Sequence, residues 1–206
     1  MFQAMEERKA IFNLKSICLI TGASKGYGKC VAVRFAELLP QGSVIVIVAR
    51  NEQGLKNTSL QIRDQCPKVR VKIKAMDLST ASKTDYESML QDIFKDNISI
   101  GEFEQSIIVH NAGSLGDVTI SMSAQTQDET LQRYWRLNLT SFTVLNAVWH
   151  QQLSDVILKQ RLVIGITSIC ALQPFKSWGI YCAGPIIFIV MKITLNLCNV
   201  GFEQNF

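Results

Sequence analysis

Along the chain, short unbroken apolar runs alternate with longer stretches whose apolar residues recur at helical spacing. Ser16-Ile-Cys-Leu-Ile20 is apolar and ends in a glycine-rich turn, which predicts a buried strand. Residues 26–39 carry Val31, Phe35, Leu38 and Leu39 at helical spacing and stop at Pro40. Ser43-Val-Ile-Val-Ile-Val48 is β-branched and predicts a central parallel strand buried on both faces. The pattern then predicts a helix over 52–65 closed by Cys66-Pro67, a third strand from Val69 to Ala75, and a helix over 80–95 with Met89, Leu90, Ile93 and Phe94 on its apolar side. Ser106-Ile-Ile-Val109 reads as a fourth strand, 128–152 as one long helix and Arg161 to Thr167 as a fifth strand, with a further helix starting near Trp178. This succession predicts an α/β fold: an open, doubly wound parallel sheet with helices on both faces, joined by right-handed crossovers. No internal repeat or linker interrupts it, so one domain over 1–206 is the simplest organisation.

Composition changes this picture little. The 48% hydrophobic and 18% charged content is that of a globular chain. The net charge of +4 comes from scattered residues, and no Lys/Arg run marks a nucleic-acid surface. The six cysteines (Cys18, Cys30, Cys66, Cys170, Cys182 and Cys198) form no CxxC pair, and the only histidines are His110 and His150, so no zinc site is expected. Several cysteines sit in apolar runs, which suits reduced thiols in the cytosol. The first fifteen residues carry two glutamates and no apolar core, unlike a secretory signal. The apolar stretch Ile186–Met191 is too short to span a bilayer, so no membrane is expected as a partner.

The candidate chemistry gathers at the strand ends. Gly22, Ala23, Ser24, Lys25, Gly26, Tyr27 and Gly28 lie between the first strand and first helix. Glycines there allow a backbone to approach a pyrophosphate, and a helix N-terminus offers free N–H groups; the alternative is only a tight turn. Arg50 and Asn51 end the second strand, where NAD enzymes usually place an acidic residue for the ribose 2′-hydroxyl. Arg50 with Lys25 favours a 2′-phosphate, hence NADP(H), unless both are simply solvated surface cations. Asp77 and Leu78 follow strand three; Asp77 is a candidate acceptor for an adenine amine or a helix N-cap. Asn111, Ala112 and Gly113 follow strand four, where Gly113 is either part of the site or a turn. Ser168 precedes Tyr181 by thirteen positions, with Asn138 upstream on the long helix. A carbonyl accepting hydride needs a proton donor and a hydroxyl to hold its oxygen, roles a tyrosine and a serine can fill.

Taken together, Thr21-Gly-Ala-Ser-Lys-Gly-Tyr-Gly28, Asn111-Ala-Gly113, Asn138 and the Ser168/Tyr181 pair resemble the short-chain dehydrogenase/reductase family. Asn111-Ala-Gly-Ser-Leu-Gly-Asp117, Ser168-Ile-Cys-Ala-Leu-Gln-Pro-Phe-Lys176 and Tyr181-Cys-Ala-Gly184 are similar to its sepiapterin reductase branch, and the likeness covers roughly residues 13–184. The resemblance implies a Rossmann-type sheet of which five strands are recognisable and the C-terminal strands are missing. It implies that Gly22–Gly28 cradle the pyrophosphate, that Lys25 and Arg50 meet the 2′-phosphate, and that Asp77 and Leu78 flank adenine. It also implies that Ser168 and Tyr181 hold the substrate, Tyr181 donating the proton, in NADPH-dependent reduction of a pteridine side-chain ketone or another small carbonyl compound. A cytoplasmic homodimer is the implied assembly.

The sequence departs from the family's Tyr-x3-Lys pattern, because Pro185 stands at the lysine position. Without that cation Tyr181 would keep a pKa of about 10, and Lys192, seven residues beyond Pro185, is about two helical turns further along. From 185 to 206 the chain reads as a different sequence joined at the Gly184 codon, and it stops before the expected sixth and seventh strands. The fifth strand is then expected to be an apolar edge, an aggregation liability. The alternative to an impaired reductase is an inactive truncated isoform that only binds NADP(H) or a full-length subunit. His110 is expected to be a buried structural residue. Trp135 and Trp149, fourteen apart, are expected on one helix face, in core or dimer packing.

Overall fold

The computed structural model describes residues 12–95, 98–119 and 127–168. Its elements are β1 (Ser16–Thr21), α1 (Gly26–Leu38), β2 (Val44–Ala49), α2 (Glu52–Gln65), β3 (Arg70–Ala75), α3 (Lys83–Lys95), a short 3₁₀ turn (Ile100–Glu102) and β4 (Gln105–His110). Then come α4 (Asp128–Trp135), a π-helical segment (Arg136–Thr140), α5 (Ser141–Gln152) and β5 (Gln160–Gly165). The five strands form one parallel sheet in the order β3-β2-β1-β4-β5. The chain therefore winds outward from β1 in one direction, then returns to start β4 on its other side. That reversal opens a crevice beyond the carboxyl ends of β1 and β4, where ligands bind in sheets of this kind.

The period-two alternation of side chains divides the core into two layers. Ile17, Leu19, Val44, Val46 and Ile108 pack with Met89, Leu90, Ile93, Leu145 and Trp149 of α3 and α5. Cys18, Ile20, Ile45, Ile47, Ile107 and Val109 pack with Ala32, Ala36, Leu55 and Ile62 of α1 and α2. On α1 the buried positions are Gly28, Ala32 and Ala36, four residues apart. Their small side chains form one stripe that lets the helix lie close to the sheet. Every residue of β1, β2 and β4 is buried, which explains the apolar runs at their centres. The edge strand β3 instead alternates Arg70, Lys72 and Lys74 with Val71 and Ile73, and Lys74 reaches Asp92 of α3 at 3.1 Å. Charged side chains on an edge oppose pairing with a second sheet.

Three elements differ from expectation. The helix expected over 128–152 is interrupted by the π-helical segment. Its extra residue shifts the helical phase by about 100°, so Trp149 is wholly buried while Trp135 is only half-buried, and the two do not share a face. The third helix begins at Lys83, not residue 80, because Ser82 and Asp85 form a capping box: Ser82 N–H donates to Asp85 Oδ2 at 2.8 Å and Asp85 N–H donates to Ser82 Oγ at 3.3 Å. Asp77 is thus not its N-cap. β5 runs Gln160–Gly165, ending two residues before Thr167.

Leu19 has no exposure and lies in the middle of the central strand. Leu19→Ala should cost about 2–5 kcal/mol, read as a lower urea midpoint at unchanged slope, whereas Leu60→Ala on the exposed side of α2 should stay within about 0.5 kcal/mol.

Candidate functional site

The β1–α1 turn and the loop after β4 meet at the crevice. Thr21 has a buried hydroxyl that accepts from the backbone N–H of Asn111 and of Ala112, each at 3.0 Å, and donates to the Val109 carbonyl at 3.4 Å. Asn111 returns its side-chain amide to the carbonyls of Thr21 (3.0 Å) and Gly22 (3.4 Å). The contact is so close that a Cβ on Gly28 would fall 2.3 Å from Asn111 Nδ2 and 2.4 Å from the Gly22 carbonyl oxygen. Gly22 has φ +71° and Gly26 φ +56°, a region that disfavours any side chain. A Cβ on Gly26 would meet no atom within 4 Å: it would project into the open side of the turn.

That open side is a cleft of about 470 Å3. Gly22, Ser24, Lys25, Gly26, Tyr27 and Gly28 line it from the turn, Arg50 and Asn51 from the end of β2, Leu78 from beyond β3, and Asn111, Ala112 and Gly113 from beyond β4. The structure thus brings together twelve of the residues named from the sequence, and adds Ala49, Met76 and Leu137 to the wall. Ala23 is an exception. Its side chain is buried in the core, and its carbonyl accepts the Thr58 hydroxyl at 3.0 Å, fixing the turn to α2.

Helix α1 starts at this cleft without any capping side chain, and its first turn holds no acidic residue. By contrast α2 is capped by Asn51 Oδ1, which accepts from Gly54 N–H at 2.8 Å, and α3 by its Ser82/Asp85 box. The free N–H groups and positive dipole end of α1 are therefore available to an anion. Lys25 and Arg50 are exposed at the mouth.

Asp77 does not line the cleft wall. Its Oδ1 accepts from Ser79 N–H at 2.9 Å and from Ser79 Oγ at 2.7 Å, while Oδ2 faces Arg50 at 4.0 Å and Arg133 at 3.9 Å. Partial burial alone would raise its pKa, but the Ser79 hydrogen bonds and the two guanidiniums outweigh it and hold the carboxyl below its usual range. Asn138 sits in the π-helical segment with both ends of its amide used. Oδ1 accepts from Ser114 N–H at 2.9 Å and Nδ2 donates to the Tyr134 carbonyl at 3.1 Å. It clamps the loop after β4 rather than projecting a free group. Ser168 follows β5 at the same edge of the sheet, half-buried; Tyr181 and Pro185 lie outside the described residues.

His110, next to Asn111, is buried with its ring 4.2 Å from that of Phe142. Desolvation, aided by His150 and opposed by Asn146, lowers its pKa from 6.5 to about 3, so it is neutral, as suits a structural residue. Among the described residues no group of His, Cys, Asp and Glu could hold a metal ion.

Comparison with known proteins agrees with this geometry. The family model described as short chain dehydrogenase matches residues 16–189. Sepiapterin reductase of Meriones unguiculatus is 34% identical over 172 residues, a match covering 82% of this chain and 63% of that protein. The chain thus spans less than two thirds of the length of that relative. A short-chain dehydrogenase from Sphingobium yanoikuyae, solved with NADPH, superposes with a TM-score of 0.69 at 29% identity, covering 88% of this chain and 65% of that one. One from Escherichia coli CFT073, also with NADPH, shares the fold at 24% identity with a TM-score of 0.72, covering 89% and 71%.

Two substitutions probe the junction. Thr21→Val leaves the partly buried N–H groups of Asn111 and Ala112 without their acceptor and should cost about 1–3 kcal/mol, while Thr21→Ser should recover most of that in the same urea titration. His110 has a folded-state pKa depressed below 6.5, so its neutral form stabilises the fold above that pH and the contribution is lost as pH falls from 6.5 toward about 3. His110→Phe should flatten the stability–pH curve in that window; an unchanged slope would show that His110 is not buried neutral.

Proposed function

The chain belongs to the short-chain dehydrogenase family, and on that premise we propose that its cleft holds the adenosine and pyrophosphate of NADP(H) and that the protein is a carbonyl reductase of the sepiapterin reductase type. The observation that carries this reading is the uncapped N-terminus of α1 at the cleft, where Gly22 and Gly28 let the turn pack against Asn111 and Gly26 faces the open side. The donor set fits the group: backbone N–H groups for the pyrophosphate, and Lys25 and Arg50 for a 2′-phosphate. Ala49, Met76 and Leu78 supply an apolar wall for adenine, and Asp77, just outside that wall, is the proposed acceptor for its amine. Asn111, Ala112 and Gly113 form the floor toward the nicotinamide end.

When bound, the cofactor would supply a hydride to a carbonyl carbon. The chain's part is then to hold the carbonyl oxygen at Ser168 and to deliver a proton from Tyr181. Asn138 holds the loop after β4 in place for both. The relatives' name points to pteridine side-chain ketones as the substrate class, and the resemblance carries a cytoplasmic homodimer into the same proposal. No helix among the described residues is long and apolar enough to cross a membrane.

Pro185 supports a second element of this proposal. It stands where the family places the lysine that lowers the tyrosine pKa, and an uncharged ring cannot do so. Turnover is therefore impaired in this chain, to the point that a protein binding NADP(H) without catalysis is the alternative.

The polypeptide of residues 1–206 should quench and shift NADPH fluorescence with a Kd at least about tenfold lower than for NADH. It should show no steady NADPH oxidation with sepiapterin. Equal affinity for the two cofactors would overturn the 2′-phosphate assignment, and measurable steady turnover would overturn the impairment.

A further inference from the structure

Three elements converge on one carboxylate at the edge of the cleft. Arg50 follows β2, Asp77 follows β3, and Arg133 comes from the last turn of α4. Asp77 Oδ1 is committed to Ser79, through bonds of 2.9 and 2.7 Å. Oδ2 faces Arg50 Nη1 at 4.0 Å and Arg133 Nη2 at 3.9 Å, both beyond direct hydrogen-bond length. The two arginine side chains are 67% and 55% exposed, so both pairings are loose and solvent-screened. Nothing in the sequence motifs singles out Arg133, and the site as described above gives it no task.

We propose that Arg133 is a specificity-determining residue for the 2′-phosphate, acting through Asp77; this rests on the assignment of Arg50 as the phosphate ligand. Arg50 cannot give its full charge to Asp77 and to a phosphate dianion at once. When it turns to the phosphate, Arg133 remains as the cation facing Oδ2. Asp77 then stays compensated, and its negative charge does not repel the incoming phosphate. A ligand ending in a plain 2′-hydroxyl makes no such demand on Arg50. Loss of Arg133 should therefore weaken the phosphorylated ligand selectively. Arg133 is a positioning residue here, since it acts through the carboxylate.

The test uses the full chain and calorimetric binding of two probes, 2′,5′-ADP and 5′-AMP. Arg133→Met should raise the Kd for 2′,5′-ADP about fivefold and leave that for 5′-AMP within about twofold. A purely structural role would move both. In an Asp77→Asn background the same substitution should lose its effect, because no carboxylate remains to be compensated. An unchanged preference in Arg133→Met, or an effect undiminished in the Asp77→Asn background, would overturn the proposal while leaving Arg50's role intact. Equal affinity of the unsubstituted chain for the two probes would instead overturn the phosphate assignment itself, and this proposal with it.

Discussion

The site depends on one close approach: the turn after β1 lies directly against the loop after β4. Thr21 and Asn111 stitch the two backbones with reciprocal hydrogen bonds, and Gly28 leaves no room for a side chain between them. The strand order makes this contact possible, because β1 and β4 are neighbours although 83 residues of chain separate the end of β1 at Thr21 from the start of β4 at Gln105. The stitch also makes the contact expensive to break, since Thr21 is buried and its hydroxyl serves two partly buried backbone N–H groups at once. The small-residue stripe Gly28, Ala32 and Ala36 extends the same constraint along α1, holding its N-terminus over the crevice.

From that geometry the electrostatics follow. An α-helix carries about half a positive charge at its N-terminus, an effect confined to the first turn. α2, α3 and α4 each meet theirs with a side-chain cap or an acidic first turn, and α1 does neither. The unmet charge therefore points into the cleft, together with Lys25 and Arg50. Opposite them Asp77 carries a single negative charge facing two arginines. The region is arranged for an anion with a cation-requiring branch, and the neutral, buried His110 behind it adds no further charge.

Much of this was legible in the sequence. Unbroken β-branched runs identify the buried strands, and the glycine spacing with Arg50 identifies the cleft and its charge. What escaped has identifiable physical reasons. The π-helical segment at Arg136–Thr140 leaves no mark in apolar spacing, since each flanking helix keeps its own phase. The hold of Asn138 on Ser114 and Tyr134 joins segments whose proximity only the fold creates. Thr21 reads as the first letter of a glycine motif, and its role as a bridge between β1 and the loop after β4 appears only once the two are side by side. Ser82-x-x-Asp85 was readable as a capping box and would have moved the start of α3 to its true place. Arg133 was invisible because nothing local distinguishes it from any exposed helical arginine.

On this account the first turn of α1 binds a pyrophosphate, and Lys25 and Arg50 meet a 2′-phosphate. A crystal structure of the chain grown with NADP+ tests it most directly. Density for the pyrophosphate over Gly26–Gly28, with the 2′-phosphate between Lys25 and Arg50, is the result expected. A dinucleotide bound away from the glycine turn, or one whose 2′-phosphate points to solvent with Arg50 still facing Asp77, would contradict it.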